Sequence, residues 1–345
     1  MPSEDRTGRE PHVDYREVHG IDGTGVDPDP SLGVQDHPSA YRPDAGLVNA
    51  VNVALILERP LLLTGDPGTG KTQLAYSLAW QLASRRALKV ISASVAKFET
   101  KSTSQARDLF YSFDTLARFQ AKQPVPDVEY INYNALGRAV IDGLPRESVA
   151  AYLPTGHDPP GYKHQPGRSV VLIDEIDKAP RDFPNDLLNE IDHMYFRIPE
   201  LRNVRIGGGP DVPKPIVVMT SNSEKSLPDP FLRRCIYYFI PAPTGDRLKE
   251  ILLARLAHLK VLDGPFLKEA MSFFTQAVEN NVARRKISVA ELLQWLIYIL
   301  RRASGSPGSL KQAQALAFEG IPALSKDPDD QKSIREDLER FVAKA

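Results

Sequence analysis

Eight consecutive residues, Gly65 to Thr72, have the composition of a loop that binds phosphate. They read Gly-Asp-Pro-Gly-Thr-Gly-Lys-Thr and match the G-x-x-x-x-G-K-[ST] pattern at every fixed position. Glycines reach backbone angles closed to other residues, so successive N–H groups can turn toward an anion. We expect Lys71 to contact the β- and γ-phosphates of a nucleotide and the Thr72 hydroxyl to bind Mg²⁺. The predicted phosphate-binding residues are Asp66, Pro67, Gly68, Thr69, Gly70, Lys71, Thr72 and Gln73.

The segments on either side of this loop suit the motif. The apolar run Leu61–Thr64 predicts a short buried strand. Gln73 to Ala83 carries apolar residues at helical spacing, and the positive end of that helix would face the same anion. A chance glycine-rich turn is the alternative, but it does not require this order of strand, loop and helix.

Two acids follow a second apolar run. Val170–Ile173 predicts a central strand, and Asp174 and Glu175 come directly after it. Asp174 would hold Mg²⁺ through its water shell, and Glu175 would orient and polarise the attacking water. The alternative is a pair of solvated acids that open a turn. The phosphate-binding loop upstream favours the metal and base roles.

Polar residues also border two further strand candidates. Asn222 follows the apolar run 216–220 and can hydrogen-bond the γ-phosphate or the water, although asparagine is also a common turn residue. Arg233 and Arg234 precede the run 236–240, where a guanidinium can act as an arginine finger or as a basic helix end. We favour the finger, and Arg234 over Arg233. The predicted catalytic residues are therefore Lys71, Glu175, Asn222 and Arg234.

The organisation of the chain predicts an α/β fold followed by helices. The five strand candidates alternate with helices, which indicates a parallel sheet. Between the runs named above, we expect a strand at Ala87–Ala93 and helices at Ala45–Leu57, Thr103–Gln120 and Phe183–Met194. From Thr244 onward the pattern is one of successive amphipathic helices. We therefore predict a flexible extension over residues 1–38, an α/β nucleotide-binding domain over 39–243 and a helical domain over 244–345.

Composition bounds the class of protein. The 345 residues include 43 Lys and Arg against 44 Asp and Glu, so nothing global indicates nucleic acid or a membrane as partner. The single cysteine, Cys235, cannot form an intramolecular disulfide and suits a reducing compartment. No apolar run approaches the ~20 residues of a membrane span, and the charged N-terminus is unlike a secretory signal. These features predict a soluble cytoplasmic protein.

Taken together, these motifs resemble those of AAA+ ATPases, and most closely the MoxR and dynein-related branch. The segments that carry the resemblance are G-D-P-G-T-G-K-T (65–72), V-V-L-I-D-E-I-D-K-A (170–179), V-V-M-T-S-N (217–222) and L-P-D-P-F-L-R-R-C (227–235). The resemblance covers about residues 40–345. It implies a five-stranded parallel sheet of order 5-1-4-3-2, an all-helical lid, and ATP with Mg²⁺ held between subunits of a homo-oligomer, a hexameric ring.

The resemblance also implies roles for individual residues. Asn222 takes the sensor-1 place and Arg234 the arginine-finger place. The sensor-2 arginine of the family falls near Ala290 here, and the nearest basic residues are Arg284, Arg285 and Lys286. The segment from Lys97 to Ser104 lies where pore loops lie in the family, so Phe98 is either a substrate-gripping residue or a core or interface residue.

Members of this branch remodel, assemble or activate partner proteins in a chaperone-like way, often a von Willebrand A-domain protein. Three alternatives stay open from sequence. One is a nucleotide-gated assembly switch, which would keep the same residues. Another is a DNA-directed motor of the helicase-loader or restriction type, which the balanced charge disfavours. A P-loop small-molecule kinase is the third, and the Asp174–Glu175 pair, Asn222 and Arg234 argue against it.

Overall fold

The computed structural model describes residues 36–123, 125–157, 165–209, 211–303 and 305–344. These residues form two compact units. The first unit comprises 43–64 and 72–239, and the second comprises 36–42, 65–71 and 240–344. Residues 1–35 of the predicted extension lie outside the described residues, and 36–38 belong to the second unit. The sequence placed the boundary between helical and α/β parts after residue 243, four residues beyond this division, and that placement stays a prediction.

The first unit is built on a parallel sheet. Its described strands are β1 (Leu61–Thr64), β2 (Val90–Glu99), β3 (Tyr111–Phe113), β4 (Ile131–Tyr133), β5 (Arg168–Asp174), β6 (Tyr195–Ile198), β7 (Val204–Gly207), β8 (Ile216–Thr220) and β9 (Ile236–Phe239). Five of them pair in the order β2-β5-β8-β1-β9, and every pairing is parallel. Numbered among these five alone and read from the opposite edge, the order is 5-1-4-3-2, as the resemblance implies.

Helices cover this sheet. The α-helices of the first unit are α1 (Ala45–Leu57), α2 (Lys71–Ser84, of which Lys71 belongs to the second unit), α3 (Thr115–Gln120), α4 (Ala135–Asp142), α5 (Arg146–Val149), α6 (Phe183–Asp186), α7 (Leu188–His193) and α8 (Asp229–Leu232). Helix α1 begins where Asp44 accepts a hydrogen bond from the Leu47 N–H at 2.8 Å, and it packs against β9. The predicted bounds of α1 agree with the structure residue for residue.

The register of the central strands brings their carboxyl ends to one edge of the sheet. Leu172 pairs with Val218, and Glu99 at the end of β2 pairs with Asp174 at the end of β5. Residues 170–173 of β5 are fully buried, so this strand can lie only between two layers of helices. Within the first unit, the residues that follow β5 and β8 are therefore placed near one another by the pairing itself.

The predicted helix over Thr103–Gln120 is wrong. The structure has a 3-10 turn at Ala106–Leu109, strand β3, and then the short helix α3, which Asp114 caps. Leu109, Phe110 and Tyr111 are all buried, which a helix with one apolar face cannot achieve for three consecutive residues. Strand β3 instead pairs antiparallel with β4, and the two form a separate small sheet.

Smaller differences concern individual elements. A 3-10 turn occupies Ala87–Lys89, so β2 begins at Val90 and runs on to Glu99, beyond the predicted end at Ala93. The predicted helix Phe183–Met194 is two short helices, α6 and α7, divided at Leu187. The antiparallel hairpin of β6 and β7 was not predicted.

Phe98, on β2, packs against the core of the first unit, which is the structural one of its two predicted roles.

All the regular secondary structure described in the second unit is helical. Its α-helices are α9 (Gly245–Leu256), α10 (Pro265–Glu279), α11 (Val289–Arg302), α12 (Gln314–Glu319), α13 (Ile321–Leu324) and α14 (Pro328–Lys344). They surround their own apolar core, in which Trp295 is fully buried and its indole N–H donates to the Ala317 carbonyl at 2.9 Å. Residues 36–42 are fastened to this unit by the ion pairs Asp36–Arg255 and Arg42–Glu250.

In the described part of the chain, no helix is long and apolar enough to span a bilayer.

Candidate functional site

The loop between β1 and α2 has the backbone of an anion cradle. Gly68 and Gly70 have φ angles of 79° and 88°, in the left-handed region that favours glycine. The Lys71 ammonium is buried, and it donates to the carbonyl oxygens of Gly65 at 2.7 Å and Asp66 at 3.0 Å. Phosphate oxygens, being anionic, would accept from this buried ammonium more strongly than the neutral carbonyls of Gly65 and Asp66 do. The loop and its lysine therefore have the geometry that phosphate binding requires.

The segment before α11 lies close to this loop within the second unit. A Cβ on Gly68 would come within 3.0 Å of Ser288 and 3.2 Å of the Ala290 side chain. Lys286 forms an ion pair with Asp66 at 3.0 Å, whereas Arg284 pairs with Asp329 on α14. Of the basic residues proposed for the sensor-2 place, Lys286 is thus the one with an ion pair to the loop.

A cavity of about 290 Å³ adjoins the loop, also within the second unit. Its lining includes the apolar side chains of Phe274, Val278 and Val289 and the loop residues Asp66 and Thr69. A flat apolar group with a few polar atoms, such as a nucleotide base, suits a space of this kind. The sequence did not predict this cavity, because its walls come from three separated parts of the chain.

In the first unit, the carboxylate of Asp174 lies in a network of hydroxyl groups. One of its oxygens, Oδ1, accepts hydrogen bonds from the Thr72 hydroxyl at 3.1 Å and from the Thr220 hydroxyl at 2.6 Å. The pairing of Thr72 with Asp174 is the one that the two predicted metal ligands should have. Thr220 was not predicted as a site residue, and the only signal for it is its place at the end of β8.

A lysine completes the surroundings of Asp174. Lys97, near the end of β2, lies 3.3 Å from the second carboxylate oxygen, Oδ2, and 2.7 Å from Glu99. Burial lowers the pKa of Lys97, but the hydrogen bond to Glu99 and the charge of Asp174 outweigh it and raise that pKa overall. The ammonium therefore stays charged beside a predicted metal ligand. Nothing in the local sequence marked Lys97 as part of this site.

Glu175 and Asn222 meet, as their predicted roles require. The Asn222 side-chain amide donates to Glu175 Oε1 at 3.1 Å, and Lys178 donates to Oε2 at 2.5 Å. Glu175 has a left-handed backbone with φ 55°, and its N–H donates to the Thr220 hydroxyl at 2.9 Å. The hydrogen bond to Glu175 also raises the pKa of Lys178. The side chain of Glu175 is thus oriented from two sides.

Asp177, in the turn two residues after Glu175, is buried. Its carboxylate accepts hydrogen bonds from the backbone N–H of Glu224 at 2.9 Å and of Asn222 at 3.4 Å. A buried carboxylate needs such donors, since desolvation of an unpaired charge is costly. Asp177 therefore joins the turn after β5 to the turn after β8 and positions Asn222.

Arg234 lies apart from these hydrogen bonds. Its guanidinium donates to the Asp192 carboxylate at 2.6 Å and to the Pro230 carbonyl at 2.9 Å. Among the described residues, no hydrogen bond links it to Thr72, Asp174, Glu175 or Asn222. About a third of the side chain is exposed.

Comparison with known families shows the family to which the chain belongs. The model of the AAA domain, dynein-related subfamily, matches residues 60–235, just over half of the chain. The chain belongs to this AAA family. Among solved structures it is similar to a single-residue variant of RuvB from Thermotoga maritima, with 14% identity, a TM-score of 0.43, and coverage of 83% of this chain and 69% of RuvB. No curated protein matches the chain.

The AAA domain offers a donor set that fits magnesium. Thr72 and Asp174 supply the hydroxyl and carboxylate oxygens that Mg²⁺ prefers. Within the described ranges, no group of three or more His, Cys, Asp and Glu side chains could hold a metal alone. A magnesium ion here would accordingly take its other ligands from water and from a bound phosphate, as is usual for this ion.

Proposed function

We propose that this AAA protein is an ATPase of the MoxR type that works as an oligomeric ring to remodel, assemble or activate a partner protein. The hydrogen-bond network that runs from Thr72 through Asp174 and Thr220 to Glu175 and Asn222 is the observation that carries the ATPase part. A loop that merely held a nucleotide would need no oriented carboxylate beside its metal ligand.

The residues of the chain divide the work of binding ATP. The base would lie in the cavity beside Phe274, and the phosphates would bind residues 66–73, where Lys71 would exchange its carbonyl partners for phosphate oxygens. Thr72 and Asp174 would hold Mg²⁺, which when bound neutralises charge on the phosphates. Adenine as the base is consistent with the family, and no guanine-specific N-K-x-D motif occurs in the sequence.

Glu175 is the group proposed to act on water. Asn222 holds one of its oxygens, so the carboxylate can face a water molecule in a fixed orientation and accept its proton. Asp177 fixes the backbone of Asn222 in turn. Lys178 donates a hydrogen bond to the other oxygen of Glu175. That hydrogen bond must break or weaken when the same oxygen accepts a proton from water.

The E175Q variant tests this assignment. Glutamine keeps the size of the side chain and can still meet Asn222, but it is a very poor base. We expect E175Q to bind a fluorescent ATP analogue as tightly as the parent and to lose turnover by about 100-fold or more. Normal turnover in E175Q would contradict the role of Glu175, and absence of ATP binding in the parent protein would contradict the function as a whole.

An exposed apolar face supports assembly into a ring. Strand β9 is at an edge of the sheet, and Tyr237 and Phe239 on it are each more than half exposed, as are Ile56 and Leu57 on the adjoining helix α1. Exposed apolar side chains beside an unpaired strand edge favour contact with another protein. A second copy of the chain is the proposed occupant, and measurement of mass in solution with and without ATP tests it.

Remodelling of a protein rests on the resemblance to the MoxR branch, including its von Willebrand A-domain partners. A partner whose addition raises ATP turnover repeatedly would support remodelling. Stable assembly after one round of binding, with no lasting change in turnover, would support the nucleotide-gated switch instead.

A further inference from the structure

We propose that Lys97 is an internal counter-cation for Asp174. Its ammonium contacts the Asp174 carboxylate while Mg²⁺ and nucleotide are not bound, and it keeps only its contact with Glu99 when they bind. This inference rests on the proposed nucleotide site and assigns a positioning residue that sets how much magnesium the site needs. The sequence motifs do not include Lys97 or Glu99.

The register of the sheet creates the need for such a cation. Glu99 and Asp174 are directly paired residues on neighbouring parallel strands, and both side chains are carboxylates. Like charges on paired strand residues destabilise a sheet. Asp174 has only 15% of its side chain exposed, so water screens its charge less than that of Glu99, which is 68% exposed.

Lys97 is placed to neutralise part of the charge of both carboxylates. Lys97 and Glu99 are two residues apart on β2 and share a face, whereas Phe98 between them packs into the core. The ammonium can therefore contact both carboxylates, at 2.7 Å from Glu99 and 3.3 Å from Asp174. With Thr72 and Thr220 on Oδ1 and Lys97 on Oδ2, both oxygens of Asp174 are engaged.

Competition with magnesium follows from this arrangement. A divalent ion at Asp174, even through its water shell, would lie close to the Lys97 ammonium, and the two cations repel each other. The closer contact with Glu99 gives Lys97 a place to move without losing its charge partner. Magnesium binding therefore includes displacement of the ammonium from Asp174, and this displacement lowers the affinity of the site for Mg²⁺. The contact with Glu99 makes the decrease in affinity smaller, because the displaced ammonium keeps an anionic partner.

Opposite shifts from two variants test the proposal. In the full-length protein, binding of a fluorescent ATP analogue is measured while Mg²⁺ is titrated. We expect K97M, which keeps the length of the stem, to lower the half-saturating Mg²⁺ about twofold to fivefold. E99Q should raise it, because Lys97 then has only Asp174 as an anionic partner. In the double variant the effect of E99Q should shrink, since it acts through Lys97.

Controls separate this role from others. K122M removes the same charge from an exposed connection after α3 and should leave the Mg²⁺ dependence unchanged. ATP affinity at saturating Mg²⁺ should be the same in K97M as in the parent. Weaker affinity at every Mg²⁺ concentration would mean that Lys97 contacts phosphate directly, and that result would overturn the proposal. K97Q provides a second variant with the same expected direction.

A metal-only experiment keeps this inference distinct from the proposed function. Binding of Mn²⁺ to the protein without nucleotide is followed by electron paramagnetic resonance. Tighter Mn²⁺ binding in K97M than in the parent supports the counter-cation even if the parent binds no ATP, in which case only the ATPase proposal fails. Unchanged Mn²⁺ binding together with an unchanged Mg²⁺ titration would overturn the counter-cation itself.

Discussion

A single hydroxyl group, that of Thr220, joins the two acids of the candidate site. It donates to the Asp174 carboxylate at 2.6 Å and accepts from the Glu175 N–H at 2.9 Å, and the residue is fully buried. Only a hydroxyl can donate and accept at one atom in so small a space. Valine, with the same shape, would deprive the Glu175 N–H of its acceptor and leave Asp174 Oδ1 with the Thr72 hydroxyl but not that of Thr220.

The T220V variant should therefore be less stable. We expect a loss of about 1–3 kcal/mol in the free energy of unfolding, because a buried hydrogen bond to a charged group is removed. Urea denaturation measures it. T220S keeps the hydroxyl and serves as the matched control, with a smaller loss. A T220V protein as stable as the parent would show that the network is not held by this group.

The buried thiol of Cys235 makes stability depend on pH. Burial, with a smaller contribution from the Asp192 charge, raises the pKa of this thiol to about 12 from an ordinary 9.0. The folded state keeps the thiol neutral, while the unfolded state ionises it above about pH 9. The stability that Cys235 contributes is present below pH 9 and is lost as the pH rises from there toward 12.

Comparison with C235A isolates this effect from other groups that titrate in alkali. Between pH 8 and pH 10 we expect the parent to lose about 1 kcal/mol more unfolding free energy than C235A. Folded protein should also react slowly with a thiol reagent at pH 8 and rapidly in urea. Equal pH dependence in the two proteins would contradict the raised pKa.

Some site residues could be predicted because a local sequence pattern marks them, and others could not because only contacts in the fold bring them to the site. The loop 65–72 and the Asp174–Glu175 pair are local patterns after apolar strands, and the structure brings Thr72 to Asp174 and Asn222 to Glu175. Lys97 and Thr220 join the site through strand pairing, and Asp177 through burial beneath another turn. Those placements depend on partners distant in sequence, so no local pattern marks them.

At the scale of elements, the central strands were the easiest to predict. β1 and β8 have the predicted bounds, because a strand buried on both faces reads as a nearly continuous apolar run, which can be recognised without knowing its neighbours. The region 103–133 failed for the opposite reason. Its two short strands become stable only by pairing across a connection of seventeen residues, and the apolar spacing within 103–120 imitates a helix.

The start of α11 gives a test at this scale. Ser288 and Glu291 form a capping box, in which the Ser288 hydroxyl accepts from the Glu291 N–H and the Glu291 carboxylate accepts from the Ser288 N–H at 2.7 Å. S288A should lower the stability of the second unit by about 1 kcal/mol. E291Q keeps an acceptor in place and should cost less.

Fluorescence of Trp295 reports on the second unit alone in a W80F background, because the chain has only two tryptophans. Denaturation followed in this way should shift to lower urea for S288A. No shift would mean that the cap adds nothing to the packing of α11 around Trp295.

At the scale of the whole molecule, the proposed ring divides one active site between two chains. Arg234 is held by Asp192 and is partly exposed, a disposition that suits action on a neighbour. R234A and K71A should each lose most turnover, since an arginine finger is worth about 10³-fold or more. A mixture of the two variants should recover hydrolysis, because some interfaces then carry both an intact Lys71 and an intact Arg234.

Phosphate release measured across a range of mixing ratios tests this expectation. Recovery of hydrolysis in the mixture, when neither R234A nor K71A is active alone, would support action between subunits. Failure at every ratio, although both variants assemble, would contradict it.

The left-handed backbone of Glu175 has a consequence for how this protein can drift during evolution or engineering. At φ 55° a residue with a Cβ is disfavoured by about 1 kcal/mol relative to glycine. Selection for stability alone would therefore favour glycine at position 175, and the resulting chain would fold more readily while losing its proposed base. Backbone stability does not favour a glutamate at that position, so the identity of residue 175 in related chains can help to separate working enzymes from inactive copies.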